Sequence, residues 1–281
     1  MALIITLLAV AGLAAGSFVN ALVWRLHENA KPKAKKNSSK LSIVNGRSIC
    51  PSCRHKLAWY DLIPIFSWLA LKGECRYCQK PISLQYPLVE LTGGLVFAGS
   101  YAFWPQIVHQ NGQWLLLAAW LAASVGLLAL AVYDLRWMLL PNRIIYPTLV
   151  VTVAGRIGYL AAYQPRKLHA VALWAGSLAI ASGVFWILYT VSKGRWIGFG
   201  DVRLGWITGT LLADPAKSLL MIFLASVIGT LVALPDLLRG KKTMASRLPY
   251  GPFLIIAAAI TVVFGASILN WYKNLMGLNS F

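Results

Sequence analysis

Two aspartates stand where an acidic side chain is costly. Asp201 closes Gly198-Phe199-Gly200-Asp201, in a short break between two apolar segments, and Asp134 closes a long apolar run ahead of Leu140-Pro141-Asn142. A carboxylate at the centre of a lipid-embedded helix costs about 2.5–3.5 kcal/mol on insertion scales, so such a residue marks function by default. Gly198 and Gly200 allow a sharp bend and let another segment come close. Two carboxylates that meet can hydrolyse a peptide bond without a metal. One, ionised, takes a proton from water; the other, protonated, polarises the scissile carbonyl. Crowding of like charges drives the two pKa values apart and supplies both roles. The pair titrates as a unit, so neither aspartate is assigned as the base. The plainer role for the same residues is to cap helices or to pair with Arg136 and Arg203. Of the other acids, Glu28, Asp61 and Glu74 fall in a polar block and Asp214 and Asp236 sit beside prolines in turns. Glu90 lies near the start of an apolar run, where it pairs a cation or caps a helix.

Cysteine provides the second grouping. Cys50-Pro51-Ser52-Cys53 and Cys75-Arg76-Tyr77-Cys78 contain all four cysteines of the chain. Two intervening residues let both thiolates of a pair reach one tetrahedral ion, and two such pairs complete a structural zinc site. A redox dithiol or an iron centre is the other chemistry open to these motifs. A cytosolic setting keeps thiols reduced and disfavours disulfides. Four thiolates leave no vacant position, so His55 is expected at the surface. The metal is expected to staple a module too small to bury an adequate core.

The elements that must position these groups are apolar. Hydrophobic residues make up 58% of the 281, against 12% charged, which points to the membrane rather than to a soluble core. A span needs about 20 apolar residues. Runs at 2–24, 88–103, 114–133, 144–162, 168–191, 216–234 and 253–272 qualify or come close. The run at 202–213 is too short to cross unaided and is expected to sink into the bundle beside the aspartates. The first run lacks a basic leader, and its pattern continues through Gly16-Ser17-Phe18-Val19-Asn20, so it is expected to be retained rather than cleaved. The fold expected is an all-α polytopic membrane protein of about eight transmembrane helices, with a small cytoplasmic zinc-knuckle module between the first and second. The domains expected are a first transmembrane helix at 1–24, a four-cysteine module with its basic linker at 25–87, and a transmembrane peptidase bundle at 88–281.

The net charge of +18 is distributed unevenly. With the spans alternating from an outside N-terminus, 21 of the 26 lysines and arginines fall on one side; Arg166, Lys167, Lys217 and Lys273 fall on the other, and Arg156 stays within a span. The positive-inside rule makes the rich side cytoplasmic and places Asp134 and Asp201 there together. Nucleic-acid binding is the other common reading of so basic a chain. It is disfavoured, because the charge tracks the membrane edges and no nucleic-acid motif accompanies it. The bilayer, through its anionic headgroups, is the expected partner.

The same residues, in this order, resemble the type IV prepilin peptidases, membrane aspartyl proteases of the GxGD kind. The resemblance runs nearly end to end. It takes in Gly16–Asn20 with Arg25, the paired cysteine motifs with Pro64-Ile65-Phe66-Ser67-Trp68 between them, and Ile82-Ser83, Tyr86-Pro87 and Glu90. It continues through Asp134 with Leu140-Pro141-Asn142 and Gly198–Asp201 with Leu204, and ends at Pro249-Tyr250-Gly251-Pro252-Phe253. Arg203 stands where the family often has lysine, and the lysine-rich insert before Cys50 is a local elaboration.

This resemblance implies Asp134 and Asp201 as the catalytic pair, supported by Gly198 and Gly200, and Cys50, Cys53, Cys75 and Cys78 as zinc ligands. It implies a multi-pass protein of the bacterial inner membrane with its active site facing the cytoplasm. The substrate implied is a prepilin or pseudopilin of a type IV pilus or type II secretion system, cut after a glycine. The second activity implied is N-methylation of the new terminal residue from S-adenosylmethionine. No glycine-rich nucleotide loop is visible for that donor, and Glu90 and the cysteine module are the candidates for its site. A peptidase without methyl transfer, or an ion-coupled transporter, is the alternative; no inverted repeat supports the latter.

Overall fold

The computed structural model describes residues 1–31, 42, 46–106, 108, 112–240 and 248–277. Most of the lysine-rich linker, His109 and the basic stretch 241–247 lie outside the described residues. The chain divides into two compact units, Met1–Ala102 and Phe103–Phe281.

The first unit holds α1 (Ala2–Ala30), a single 3-10 turn (Trp59–Leu62), α2 (Phe66–Ala70) and α3 (Gln85–Ala102). Helices α1 and α3 pack along one another through glycine. A Cβ on Gly12 would stand 2.3 Å from the Gly93 carbonyl oxygen, and a Cβ on Gly93 would stand 2.3 Å from that of Gly12. Small residues are what allow two apolar helices to bring their backbones together. Helix α1 runs past Trp24, where the sequence pattern suggested a soluble block. Its last turns bury Arg25 and Leu26, and they present Glu28 to Lys31 and Arg54 at 2.9 and 2.8 Å. Those contacts hold the extra turns in place.

The second unit contains α4 (Gln113–Trp137), α5 (Asn142–Tyr163), α6 (Lys167–Ala181), α7 (Gly183–Ser192), α8 (Phe199–Leu212), α9 (Pro215–Leu238) and α10 (Gly251–Leu275). Helix α8 is the hub, touching α5, α6, α7, α9 and α10. Its 14 residues reach about 21 Å, short of the hydrocarbon thickness. It is buried almost all round, as a core helix must be. The Thr208 and Thr210 hydroxyls donate to the carbonyls of Leu204 and Trp206, so neither is left bare in an apolar setting. The run expected as one fifth span is interrupted at Ser182. There the hydroxyl of Ser182 donates to the Val202 carbonyl at 3.0 Å, and a Cβ on Gly205 would stand 2.3 Å from the Ala181 oxygen. The backbone of α8 lies directly against the break.

Among the described residues, six stretches are long and apolar enough to cross a membrane: α1, α4, α5, Lys167–Ser192, α9 and α10. Helices α3 and α8 complete the eight segments expected from hydropathy, but they are shorter or more polar than a crossing helix. The chain is a multi-pass, all-helical membrane protein.

Candidate active site

Asp134 lies in the last turn of α4. The helix stops at Met138, which takes a left-handed φ of 51° and donates its N–H to the Asp134 carbonyl at 2.8 Å. Pro141 then forbids helical continuation and caps the start of α5. Within this turn Leu140 acts as a wedge. A Cβ on Gly200 would meet its Cδ1 at 2.9 Å, and a Cβ on Gly251 would meet its Cδ2 at 3.6 Å. One leucine side chain therefore touches the starts of both α8 and α10.

Asp201 is the third residue of α8. Its carboxylate stands beside Gly198, the residue that caps the helix, where an added Cβ would be 3.8 Å from Oδ2. Asp134 accepts from the N–H of Gly251 at 3.2 Å through Oδ2, in a buried bond. Gly251 is the first residue of α10, so the positive end of that helix faces the carboxylate. Asp134 is 6% exposed and Asp201 8%, and the charge of Asp134 acts on Asp201. Two buried carboxylates from helices distant along the chain thus lie near enough for one charge to act on the other.

Neither arginine suspected of pairing with them does so. Arg203 donates to the Asn142 side chain and lies 4.7 Å from the Phe199 ring centroid, and Arg136 lies 5.7 Å from that of Trp137. Among the described residues neither aspartate forms an ion pair. The Tyr250 side chain is also near enough for the Asp201 charge to act on it; its ring meets Phe185 edge-on.

The four cysteines gather in the first unit, with all four Sγ atoms within 4.8 Å of one another. The two pairs are built alike. Cys50 N–H donates to His55 O and Cys75 N–H to Lys80 O, both at 2.9 Å, while Arg54 and Gln79 close the turns with φ of 62° and 56°. The bridges Ile49 to Lys56 and Glu74 to Pro81 repeat the same offset. Cys50 Sγ and Cys78 Sγ are 3.9 Å apart, against the roughly 3.8 Å separation implied by tetrahedral metal–sulfur bonds of ~2.3 Å. Four thiol sulfurs at this spacing fit a four-coordinate metal. His55 is not among them: its ring stacks on Tyr77 of the other knuckle at 3.7 Å.

Asp61 ties the module together, and nothing in its sequence context announced this. Its side chain is 3% exposed and accepts from Arg76 at 2.8 Å, from Tyr77 at 3.1 Å and from the Ala58 N–H at 3.2 Å. Burial alone would raise its pKa, but the bonds from Arg76, Ala58 and Tyr77 outweigh that and hold the carboxyl below its ordinary range. Burial, with the Asp61 carboxylate beside it, pushes the Tyr77 hydroxyl up to about 12.

Glu90, on α3, is buried. It accepts from the Ile65 N–H at 2.7 Å and lies near Ser17 of α1. Ile65 takes a φ of 61°, a strained conformation for a β-branched residue, and the bond to Glu90 helps hold it there.

Apolar crossing helices, two buried carboxylates at helix ends and a four-thiol knuckle module define a class: polytopic membrane proteins that carry a small thiol module and buried acids in their helices. Residues 10–104 match the model of the bacterial peptidase A24 N-terminal domain, and residues 121–234 that of the type IV leader peptidase family. The chain is 31% identical to a prepilin leader peptidase/N-methyltransferase of Stutzerimonas stutzeri, over 94% of this chain and 91% of that protein. It is 31% identical to one from Pseudomonas aeruginosa, over 95% and 92%, and 34% identical to one from Aeromonas hydrophila, over 80% and 74%. No solved structure matches. The chain belongs to the type IV leader peptidase family, and so is a peptidase.

Proposed function

We propose that this protein removes the leader of a type IV prepilin or pseudopilin after a glycine, using Asp134 and Asp201 as its catalytic pair, and then methylates the new N-terminal residue. The observation that carries the reading is the pairing itself. Two carboxylates are buried together, free of arginine, in a chain whose relatives are named prepilin leader peptidase/N-methyltransferase.

The chemistry follows from the geometry. One carboxylate, ionised, accepts a proton from water as the water oxygen attacks the scissile carbonyl carbon. The other, protonated, donates its proton to the carbonyl oxygen and takes it back as the tetrahedral intermediate collapses, while the first passes the proton it took from water to the leaving amine. The Gly251 N–H fixes Oδ2 of Asp134 and leaves its other oxygen for this work. Burial strengthens the repulsion that keeps a single proton on the pair. In this reading the centre lies wholly within Phe103–Phe281. The charge asymmetry of the sequence supports a cytoplasmic position at the inner membrane, where a basic leader emerges from the bilayer.

The metal proposed for Cys50, Cys53, Cys75 and Cys78 is zinc. When bound it supplies a closed structural crosslink with no position for substrate. For methyl transfer the donor proposed is S-adenosylmethionine. Glu90 accepts the Ile65 N–H through Oε2, and no step of the transfer is routed through it.

Purified protein incubated with a prepilin and labelled S-adenosylmethionine is expected to cleave the leader and label the mature product. Asp134→Asn and Asp201→Asn are each expected to lower cleavage by about 10²-fold or more while the protein still inserts and keeps its metal. Substantial cleavage by either variant removes the dyad from the mechanism.

A further inference from the structure

At the other end of the second unit, two cations lie near enough for one charge to act on the other, and among the described residues one acid acts on them. Asp201 lies in the first turn of α8, and Ala213 caps its last, about 18 Å further along the axis. Arg156, on α5, reaches the Ala213 carbonyl with Nη2 at 3.5 Å, and its guanidinium lies 5.8 Å from the Tyr159 ring centroid. Its Nε is buried and has no hydrogen-bond partner. Lys217 stands in the first turn of α9, its stem passing Gly265 of α10, where an added Cβ would be 3.7 Å from Lys217 Cγ. The Lys217 charge is felt by both Asp214 and Arg156.

The neighbours do not balance this charge. Asp214 uses Oδ1 to cap α9, accepting the Lys217 backbone N–H at 3.0 Å. The Tyr159 hydroxyl is a neutral acceptor already taken by Gln113 and Gln164. The N-terminus of α9 adds further positive potential. Of the two cations, Lys217 has Asp214 acting on it, whereas no acid acts on Arg156, which keeps a guanidinium N–H without a partner. Both side chains are half-buried, so their charge is only partly relieved by solvent, and a buried donor such as Arg156 Nε is almost always satisfied. Water could accept from Nε but could not offset the charge.

We propose that Arg156 and Lys217 hold a phosphate-type oxyanion at the α5–α8–α9 corner, the guanidinium offering a donor fork and the ammonium a point charge. Tetrahedral oxyanions suit that combination. Because both residues lie on membrane-crossing helices, the headgroup of an anionic phospholipid can supply the oxyanion, as can free phosphate.

The test uses the full chain in non-ionic detergent after delipidation, with thermal unfolding followed against three titrants: phosphatidylglycerol, zwitterionic phosphatidylcholine, and inorganic phosphate matched with chloride for ionic strength. A saturable upward shift with phosphatidylglycerol alone assigns a lipid headgroup; a shift with phosphate as well assigns a general phosphate site. In Arg156→Gln/Lys217→Gln the apparent affinity is expected to fall at least tenfold. In Arg156→Lys, which keeps the charge and loses the fork, it is expected to fall several-fold. No saturable shift in the wild type with either anion overturns the proposal. So does equal affinity in Arg156→Lys, a milder change that serves if the double variant does not fold.

Discussion

Gly251 offers the sharpest test of how the acid pair is held. A methyl group there would stand 2.7 Å from Asp134 Oδ2 and 3.4 Å from its Cγ. Carbon and oxygen settle at about 3.3–3.6 Å, so the carboxylate would have to retreat by roughly 0.6–0.9 Å. That movement breaks the 3.2 Å bond from the Gly251 N–H. A hydrogen bond to a charged group contributes about 1.5–3 kcal/mol, equivalent to roughly a 10- to 150-fold change in rate. A misplacement approaching ~1 Å at a reacting group costs a similar ~10²-fold. The backbone itself tolerates alanine, because Gly251 opens a helix and is not in the left-handed region. Gly251→Ala is therefore expected to lose cleavage by roughly 10- to 100-fold with little change in melting temperature. Initial rates of leader removal from a purified prepilin in micelles measure this, with Gly99→Ala, whose methyl meets open space, as the silent control. Cleavage within about twofold of wild type would refute the claim that this N–H positions Asp134.

Other perturbations act on the first unit. Cys50→Ser/Cys75→Ser is expected to abolish stoichiometric metal, measured by elemental analysis, and to impair methylation more than cleavage; retained metal would defeat the four-thiolate site. Asp61→Asn should loosen the module, read as faster loss of metal to a competing chelator, because Arg76, Tyr77 and the Ala58 N–H all lose their acceptor charge. The Asp61 pKa is lowered on folding, so the stability it adds is complete above its ordinary value of 3.8 and is lost as pH falls through its lower folded value. The difference between wild type and Asp61→Asn should thus be full at pH 7 and vanish in strong acid. Gly93→Val places side-chain carbons against the Gly12 carbonyl and should lower the melting temperature by forcing α1 and α3 apart, at an overpacking cost of about 1–3 kcal/mol or more. An unchanged melting temperature would refute that close approach.

What the sequence determined by itself was local. Thiols two residues apart, and apolar runs about as long as a bilayer is thick, carry their meaning within a few turns, so the knuckles and the crossing helices were legible. Asp134 and Asp201 stood out because an acid at the end of an apolar run is costly wherever the chain goes. Length and hydropathy could not show that α8 is a buried hub, because a short apolar helix looks the same whether lipid or protein surrounds it. Nor could they show α1 continuing past Trp24, since the acid that anchors its last turn finds its partner on the cysteine module. The remaining positions depend on contacts between distant segments. Gly251 donates to a carboxylate 117 residues away, Leu140 wedges against two helix starts, Arg203 turns to Asn142 and leaves the aspartates free, and Arg156 and Lys217 converge on one corner. Only packing decides such meetings, because the energy that selects them comes from close fit and from satisfying buried polar groups, neither of which is encoded in any one stretch of residues.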